Sequence, residues 1–524
     1  MKNLQKEKKP KENRKYFFIL GIISSIALSI RLIIIPYDVP ISLDGLDYFG
    51  YAIAMSVQGD FPSGYLYNNF GWPTLLSVVF SIVDFDQMLE LMNVQKIFSS
   101  LISVITVIPI YFICKKFFGQ KIAVLGSTLF LFDPRIIINS TLGITDSLFI
   151  FLITLVIMFI FIKNEKLYFL SFICAAIAVF VRYEGFLLIF PIVITFFIKK
   201  EFDKKKLFHL GLGVIIFLAI ILMINTIAYE KTGTSIFSPV TGGVEYMNYN
   251  IILNNPDYDD KFFGEDEENK SQIFVYNSLS GYLKFLGWIT LPYLIFFIIP
   301  GIYVMNKKFT TNKIILILFS LFISGAGFYA YGRGIEETRY LYPLIPIFIL
   351  IGCKFIYFLN EKYDYKKIAI VVISLVIISS VGYLEYDKKD NVYEREIYDA
   401  TIFLIKIADG VNDYNGNKFV RTAALENSWP ELLPLNEKNK MTANIKKFSS
   451  KNFESLEQFL ENNENKGLSH LVIVENDKEL FLKKVFHNEK DYSFLEKIYD
   501  SKNLGFKNQI KIFKINYNIF NLRI

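Results

Sequence analysis

Long apolar runs recur through the first 385 residues of the chain and decide its class of fold. A helix needs about 20 consecutive apolar residues to cross the hydrocarbon core of a bilayer, and these runs approach that length. The chain of 524 residues is 53% hydrophobic and 17% aromatic, which fits the same class. We therefore predict eleven membrane-spanning helices, at residues 16–35, 95–114, 122–138, 144–162, 167–181, 185–198, 207–228, 283–303, 314–331, 341–358 and 368–385.

Lysines mark one side of the membrane. They are concentrated in the basic N-terminal segment 1–15 and in short loops that join successive pairs of predicted spans, such as 199–206 and 362–367. Because short basic loops stay in the cytoplasm, we predict a cytoplasmic N-terminus and an extracytoplasmic C-terminus in the cell membrane. The alternate loops, 37–94 and 229–281, carry acidic residues and are predicted to lie outside. The formal net charge is only +6 and its lysines follow the spans, so no nucleic-acid-binding surface is indicated.

The hydropathy falls sharply after Tyr386. Strand-like runs at 419–425, 470–475 and 510–515 alternate with helix-like runs at 393–409, 453–463 and 478–486. The predicted fold class is therefore a mostly α, polytopic transmembrane helical bundle with a small C-terminal extracytoplasmic α/β domain. The predicted domains are a cytoplasmic tail at 1–15, a transmembrane catalytic domain at 16–385 and the soluble domain at 386–524.

Two aspartates in the first predicted outer loop are the leading candidates for chemistry. Asp44 and Asp47 lie three residues apart, and a helix over 45–57 places both carboxylates on one face. Either can act as a general base, and the two can instead share a divalent cation such as Mg²⁺ or Mn²⁺. The structural alternative is that Asp44 caps this helix and Asp47 complements its dipole.

Further singular polar residues lie at the outer ends of predicted spans. Burying an ionisable group in a membrane costs free energy, so such groups are usually functional. Arginine is suited to a bidentate contact with a phosphate. We predict a substrate-binding set made of Asp146, Arg182, Glu184, Arg333, Arg339 and Tyr340. The structural alternatives are a helix cap for Asp146, an internal ion pair for Arg182 and Glu184, and membrane anchors neutralised by Glu336 and Glu337 for the other two arginines.

Cysteine and histidine usage excludes two classes of site. The three cysteines, Cys114, Cys174 and Cys353, lie in or beside apolar runs and cannot form a disulfide framework or a cysteine-rich metal site. The three histidines are far apart in the sequence, which argues against a histidine-based zinc centre.

Two hypotheses account for carboxylates and arginines on one face of a membrane. The first is an enzyme that transfers a group from a phosphate leaving group while a carboxylate deprotonates an acceptor hydroxyl. The second is a transporter or flippase for an anionic lipid or solute. A transporter is expected to place its charges near the bilayer midplane, whereas these lie at predicted span ends, which favours the enzyme.

The order of these features resembles the polytopic GT-C glycosyltransferases, especially the protein O-mannosyltransferase and aminoarabinose-transferase type. The features that carry the resemblance are Asp44, Gly71-Trp72-Pro73, Asp133-Pro134, Thr145-Asp146-Ser147, Arg182-Tyr183-Glu184, and Arg339-Tyr340 before Pro343 and Pro346. The resemblance covers roughly residues 17–385. No single motif in it is specific, and the ordered set carries it.

The resemblance implies a glycosyltransferase with a hexose donor carried on a polyprenyl phosphate and inversion at the anomeric carbon. It implies Asp44 as the base and an outer-side arginine that holds the lipid phosphate. This chain departs from the mannosyltransferases at Asp44-Gly45, where they commonly have Asp-Glu, and it lacks their His-Pro-Pro. The acceptor, a glycan, a lipid or a protein, is therefore left open.

Overall fold

A computed structural model of the chain describes residues 8–41, 44–60, 69–83, 87–162, 165–199, 204–233, 235–237, 270–305, 311–388, 391–428, 445–451, 453–475 and 477–522. Most of the predicted outer loop 229–281 lies outside these residues, and so do residues 61–68 of the predicted loop 37–94.

The chain divides into two compact units, which are described separately. The membrane unit comprises Met1–Ile35, Leu66–Leu76 and Gln95–Lys388. The sheet unit comprises Pro36–Tyr65, Ser77–Val94 and Lys389–Ile524.

The described residues from Lys8 to Tyr386 form mainly helices. They are α1 (Lys8–Ile34), α2 (Asp44–Gln58), α3 (Gly71–Phe80), α4 (Met88–Ile105), α5 (Val107–Phe118), α6 (Gln120–Leu131), α7 (Pro134–Ser140), α8 (Asp146–Phe161), α9 (Glu165–Val181), α10 (Ile189–Lys199), α11 (Lys204–Thr232), α12 (Lys270–Thr290), α13 (Ile295–Met305), α14 (Thr311–Gly332), α15 (Ile345–Asn360) and α16 (Tyr365–Tyr386). Two 3₁₀ helices, Tyr183–Leu188 and Thr338–Leu344, lie before α10 and α15.

Six helical segments among the described residues are long and apolar enough to cross a membrane, and two bent pairs raise that number to eight. The predicted count of eleven is therefore not confirmed. Three of the predicted spans coincide with helices of 10–17 residues, Asp146–Phe161, Leu167–Val181 and Tyr183–Ile198, which are shorter than a full crossing. The multi-pass helical architecture itself is confirmed.

Two predicted spans are bent rather than straight. The predicted span 122–138 is two helices at 55°, and the break falls at Asp133-Pro134. There Asp133 Oδ1 accepts the backbone N–H groups of Arg135 and Ile136 at 3.0 and 3.2 Å and so starts a new helix. The predicted span 283–303 is likewise α12 and α13 at 106°.

The break after α6 leaves helix carbonyls that need partners, because a helix end inside an apolar unit cannot rely on water. Arg31 on α1 is fully buried and donates from Nη1 to the carbonyl of Leu131 at 3.0 Å. The hydroxyl of Tyr293, also fully buried, donates to the carbonyl of Leu129. These polar side chains therefore complete the backbone hydrogen bonding of a broken helix, which gives Arg31 a structural role.

The C-terminal part of the sheet unit is a mixed α/β fold. Its strands are β1 (Gly410–Asn412), β2 (Lys446–Phe448), β3 (His470–Val474), β4 (Leu495–Asp500) and β5 (Ile510–Ile515). They form one sheet in the order β2-β1-β3-β5-β4, in which β2, β1 and β3 are mutually parallel and β5 runs antiparallel to β3 and β4. The helices are α17 (Val392–Ile405), α18 (Val420–Ser428), α19 (Leu456–Asn463), α20 (Leu480–His487) and α21 (Tyr517–Phe520).

Two hydrophobic clusters lie on the two faces of this sheet. On β3, Leu471 and Ile473 face a cluster that includes α19 and α20, whereas Val472 faces a cluster that includes α17. This alternation is the period-2 pattern of a strand buried on both faces.

Most predicted elements of this region are confirmed, with one exception. The strands near 470–475 and 510–515 and the three predicted helices are present. The predicted strand 419–425 is wrong, because its residues end a 3₁₀ turn at Phe419 and then form α18. Val420, Ala423 and Ala424 follow helical spacing and include two strong helix formers, which outweigh the apolar start of the segment.

Candidate functional site

Arg182 organises a cluster of charges in the membrane unit. Its Nη1 contacts Asp146 Oδ1 at 2.7 Å, while Nη2 and Nε contact the two carboxylate oxygens of Glu184 at 2.9 and 3.3 Å. The three side chains are only 12%, 3% and 14% exposed. The bidentate fork onto Glu184 is the strongest geometry that an arginine offers a carboxylate.

The local sequence explains why these groups meet. The chain turns at the end of α9, where Arg182 has extended backbone angles, and then runs back against the helix it has just left. A Cβ on Gly185 would lie 2.4 Å from the backbone nitrogen of Val179, so only glycine fits this turn. The turn places Arg182 and Glu184 beside α8, which packs on α9.

Asp146 is fixed from the other side of the cluster. It lies in the first turn of α8, where a carboxylate complements the helix dipole. The carbonyl of Gly143, just before this turn, accepts from Trp72 Nε1 at 3.0 Å and from Gln95 Nε2 at 2.7 Å. The Gly71-Trp72-Pro73 segment therefore helps to hold the loop that presents Asp146.

Arg339 and Tyr340 join the same cluster from the 3₁₀ helix Thr338–Leu344. The Tyr340 ring lies 5.5 Å from the guanidinium carbon of Arg182 and 5.9 Å from that of Arg339, within cation–π range of both. Arg339 also forms an ion pair with Glu337. All five residues Asp146, Arg182, Glu184, Arg339 and Tyr340 line one cavity of about 20 Å³, which holds about one water molecule.

The two arginines of the cluster differ in how firmly they are held. Arg182 bonds two nearly buried carboxylates, and removing it would leave them unneutralised at a cost of about 3–5 kcal/mol. Arg339 is 22% exposed and its partner Glu337 is 47% exposed. An incoming anion can therefore exchange with Glu337 on Arg339 far more cheaply than with the carboxylates on Arg182.

Arg333 does not line the cavity around Arg182. Its guanidinium lies over the Tyr329 ring at 5.8 Å, one turn back on α14. Arg333 and Arg339 were predicted as one set because they are close in the sequence. In the structure, only Arg339 lines the cavity around Arg182.

Asp44 and Asp47 belong to the sheet unit. Both lie in the first turn of α2, so they share a helix face as predicted, and the helix begins at Asp44 itself. Asp47 forms an ion pair with Arg421 on α18. Burial lowers the pKa of Arg421, but a guanidinium stays charged at neutral pH, so the pair is ionic.

Sequence reasoning missed Arg421. It lies 374 residues from Asp47 and inside a segment that was predicted as a strand. Its only local signal is a single arginine in an otherwise uncharged stretch from Phe419 to Leu425.

The predicted divalent cation gains little support from this geometry. Within the described part of the chain, no group of three or more His, Cys, Asp or Glu residues could hold a metal ion. The carboxylate of Asp47 is engaged by Arg421, so an ion shared with Asp44 would have to displace that arginine.

Comparison with known proteins shows which fold the chain shares. Residues 75–224 match the family model described as dolichyl-phosphate-mannose-protein mannosyltransferase. The structure resembles the Archaeoglobus fulgidus oligosaccharyltransferase in complex with zinc and sulfate, with a TM-score of 0.55 and 13% identity over 86% of this chain and 67% of that one. It also resembles ArnT from Cupriavidus metallidurans bound to undecaprenyl phosphate, with a TM-score of 0.54 and 10% identity over 94% of this chain and 97% of that one. The chain has the fold of the GT-C membrane glycosyltransferases.

The GT-C resemblance inferred from the sequence is thus confirmed, as is a multi-pass membrane architecture. A third structure with the same fold is the archaeal oligosaccharyltransferase AglB from Archaeoglobus fulgidus, in complex with an inhibitory peptide and a dolichol-phosphate, with a TM-score of 0.55 and 12% identity over 88% of this chain and 69% of that one. Comparison with curated protein sequences gave no match. The family model is described as a mannosyltransferase, and the two Archaeoglobus fulgidus structures are described as oligosaccharyltransferases.

Proposed function

We propose that this protein is a membrane glycosyltransferase that transfers a sugar from a polyprenyl-phosphate-linked donor to an acceptor hydroxyl on the outer face of the membrane, with inversion. The observation that carries the proposal is the cluster of Arg182, Asp146, Glu184, Arg339 and Tyr340 within a GT-C fold. Two structures with this fold contain a polyprenyl phosphate, one dolichol-phosphate and the other undecaprenyl phosphate.

Arg339 is the group we assign to the lipid phosphate. It is the more exposed arginine of the cluster, and its carboxylate partner is itself half exposed. The cavity beneath it admits only about one water molecule, so the phosphate binds at the exposed edge of Arg339 rather than inside. Arg182 then acts as a positioning residue, because it holds Asp146 and Glu184 and supports the Tyr340 ring.

Asp44 is the group we assign as the general base. An acceptor hydroxyl that attacks the anomeric carbon must lose its proton as the bond forms, and a carboxylate within hydrogen-bond reach can take it. Asp47 is the poorer choice, because its ion pair with Arg421 stabilises the charged form and so weakens it as a proton acceptor. Asp47 and Arg421 instead hold the first turn of α2, which also contains Asp44.

The test is a transfer assay on the purified full chain in lipid nanodiscs. The donor is a polyprenyl-phosphate hexose with a radiolabelled sugar, and the acceptor is a membrane extract. We expect label to pass into an acceptor that depends on Asp44, with an inverted anomeric configuration. If the chain instead moves the intact labelled lipid across a sealed vesicle without transfer, the transporter hypothesis replaces this one.

A further inference from the structure

The sheet unit contains a polar cleft that the proposed transfer reaction does not use. It has a volume of about 460 Å³ and lies at the carboxyl ends of the parallel strands. It is lined by residues at and after the ends of β1, β2 and β3, by Tyr393 of α17 and by the segment that leads into β5: Tyr393, Asp413, Tyr414, Asn415, Ser450, Lys451, Val474, Glu475, Asp477, Lys478, Glu479, Lys507 and Asn508. We refer to it as the strand-end cleft.

The topology of the sheet explains why a cleft forms there. β1 and β3 are neighbours, but the chain leaves them toward opposite faces of the sheet. After β1 it reaches Phe419, in the cluster on the α17 face, whereas after β3 it reaches Phe481 and Leu482, in the cluster on the α19 face. In open α/β sheets, ligands bind in the crevice that such a divergence opens at the carboxyl ends of the strands.

Specific contacts hold the segments that border the cleft. The side-chain amide of Asn412, at the end of β1, accepts from the backbone N–H of Val472 at 2.7 Å and donates to its carbonyl at 2.9 Å. Asn412 is fully buried, so this amide bridges β1 to β3 where main-chain pairing has ended. On the far rim, the backbone N–H of Asn508 donates to the fully buried carboxylate of Glu396 at 3.0 Å, which fixes the segment before β5.

The lining identifies the chemical class of ligand. The lining contains four carboxylates, from Asp413, Glu475, Asp477 and Glu479, and three ammonium groups, from Lys451, Lys478 and Lys507. The four carboxylates would repel a phosphate, and the three lysines would repel a polycation. A neutral polyhydroxylated molecule suits both, because each hydroxyl donates to a carboxylate and accepts from an ammonium or amide group.

Two residues add detail to this assignment. Tyr393, whose hydroxyl accepts from Asn415 Nδ2 at 3.2 Å, supplies a half-buried aromatic ring at the cleft, and such a ring packs well on the apolar face of a sugar. Burial raises the pKa of the Asp477 carboxyl, although backbone N–H groups, among them that of Glu479, donate to it.

We propose that the strand-end cleft binds a short neutral carbohydrate chain of about three residues. The inference goes beyond the proposed function, because transfer from a lipid-linked donor requires no carbohydrate site in the sheet unit. It also stands if the transfer reaction proves different, since it depends only on the residues of the cleft.

The test uses the full chain in nanodiscs, so that no sugar-based detergent competes. Saturation-transfer NMR and calorimetry are run with maltotriose, cellotriose, mannotriose and N-acetylchitotriose, and transfer activity is not needed for the readout. We expect at least one trisaccharide to bind. Glu475→Ala and Lys451→Ala, both exposed residues of the cleft, should each weaken that binding about tenfold, which corresponds to about 1.4 kcal/mol.

The matched control is Glu461→Ala, which removes an exposed carboxylate of α19 outside the cleft and should leave binding unchanged. Asp477→Asn keeps a hydrogen-bonding side chain, and we expect it to retain part of the affinity. The proposal is overturned if none of the four trisaccharides binds, or if the cleft variants bind them as well as the Glu461 variant does.

Discussion

At the scale of single residues, the contacts of two acidic side chains separate their roles. Asp44 and Asp47 are equivalent in the sequence, three residues apart in one turn of α2. The ion pair with Arg421 gives Asp47 a counter-charge, which weakens this carboxylate as a proton acceptor. No sequence pattern could have foreseen it, since the partner lies 374 residues away.

Replacing Asp44 by Asn tests the general base directly. Asn caps a helix about as well as Asp, so the variant should fold and bind donor normally. Loss of the proton acceptor should reduce kcat by about 10²–10⁴-fold, measured in the radiolabel transfer assay. The matched control is Asp38→Asn, which removes a half-exposed carboxylate paired with Arg395 in the same unit and should leave kcat within about twofold. Near-normal turnover of the Asp44 variant would leave Asp44 with a structural role.

Replacing Arg339 tests the phosphate site. Hydrogen bonds to a charged group contribute about 1.5–3 kcal/mol, so Arg339→Ala should weaken donor binding by about 10- to 150-fold. Arg339→Lys should recover only part of it, because lysine retains the charge but loses the fork. Donor affinity is measured by equilibrium binding of the labelled lipid. The matched control is Arg333→Ala, because Arg333 lies outside the cavity. If donor affinity falls in the Arg333 variant alone, the phosphate site is at Arg333 instead.

At the scale of elements, the turn after α9 determines where the charged cluster forms. Gly185 has no space for a Cβ because the backbone of Ala178 and Val179 lies 2.4–2.8 Å from that position. We expect Gly185→Ala to lower stability by about 1–3 kcal/mol and to reduce donor binding through displacement of Arg182. Thermal unfolding of the purified protein measures the first effect. Gly382→Ala, where a Cβ on α16 would meet no atom within 4 Å, should be neutral or slightly stabilising.

Elements with a strong local pattern were predictable, and elements shaped by their surroundings were not. The strands near His470 and Ile510 are short, β-branched and apolar, and they were identified from that pattern. The bent pairs at 120–140 and 274–305 were predicted as straight spans, because hydropathy gives the length of an apolar run but not a change in helix direction within it. At Asp133-Pro134 the information was present as a cap followed by proline, the signature of a new helix start.

At the scale of the whole molecule, the polytopic class followed from hydropathy alone, whereas its orientation rests on the distribution of lysines. The three native cysteines are buried, so introduced cysteines report with little background. We expect Glu230→Cys and Asn503→Cys to react with an impermeant maleimide in intact cells, and Lys362→Cys to react only after permeabilisation. The reverse pattern would place the charged cluster on the cytoplasmic face.

Five of the six residues predicted as a substrate-binding set line one cavity in the structure, and Arg333 does not line it. Asp146, Arg182, Glu184, Arg339 and Tyr340 were selected as singular polar residues, and the structure brings them to one cavity. The strand-end cleft escaped prediction altogether, because its lining comes from segments after three different strands and becomes a site only through strand order.

The sheet unit is assembled from pieces of chain that are far apart in order of synthesis. Val39 packs in the same cluster as Ile397 and Leu404, and Asp38 pairs with Arg395 at 2.6 Å. Residues 95–388 are translated between them. During translation, the first segments of this unit therefore cannot form their native contacts until residues 95–388 have been synthesised. A nascent chain arrested before Arg421 would carry α2 without this partner for Asp47, so the reaction centre we propose can mature only after residues 391–428 have been translated.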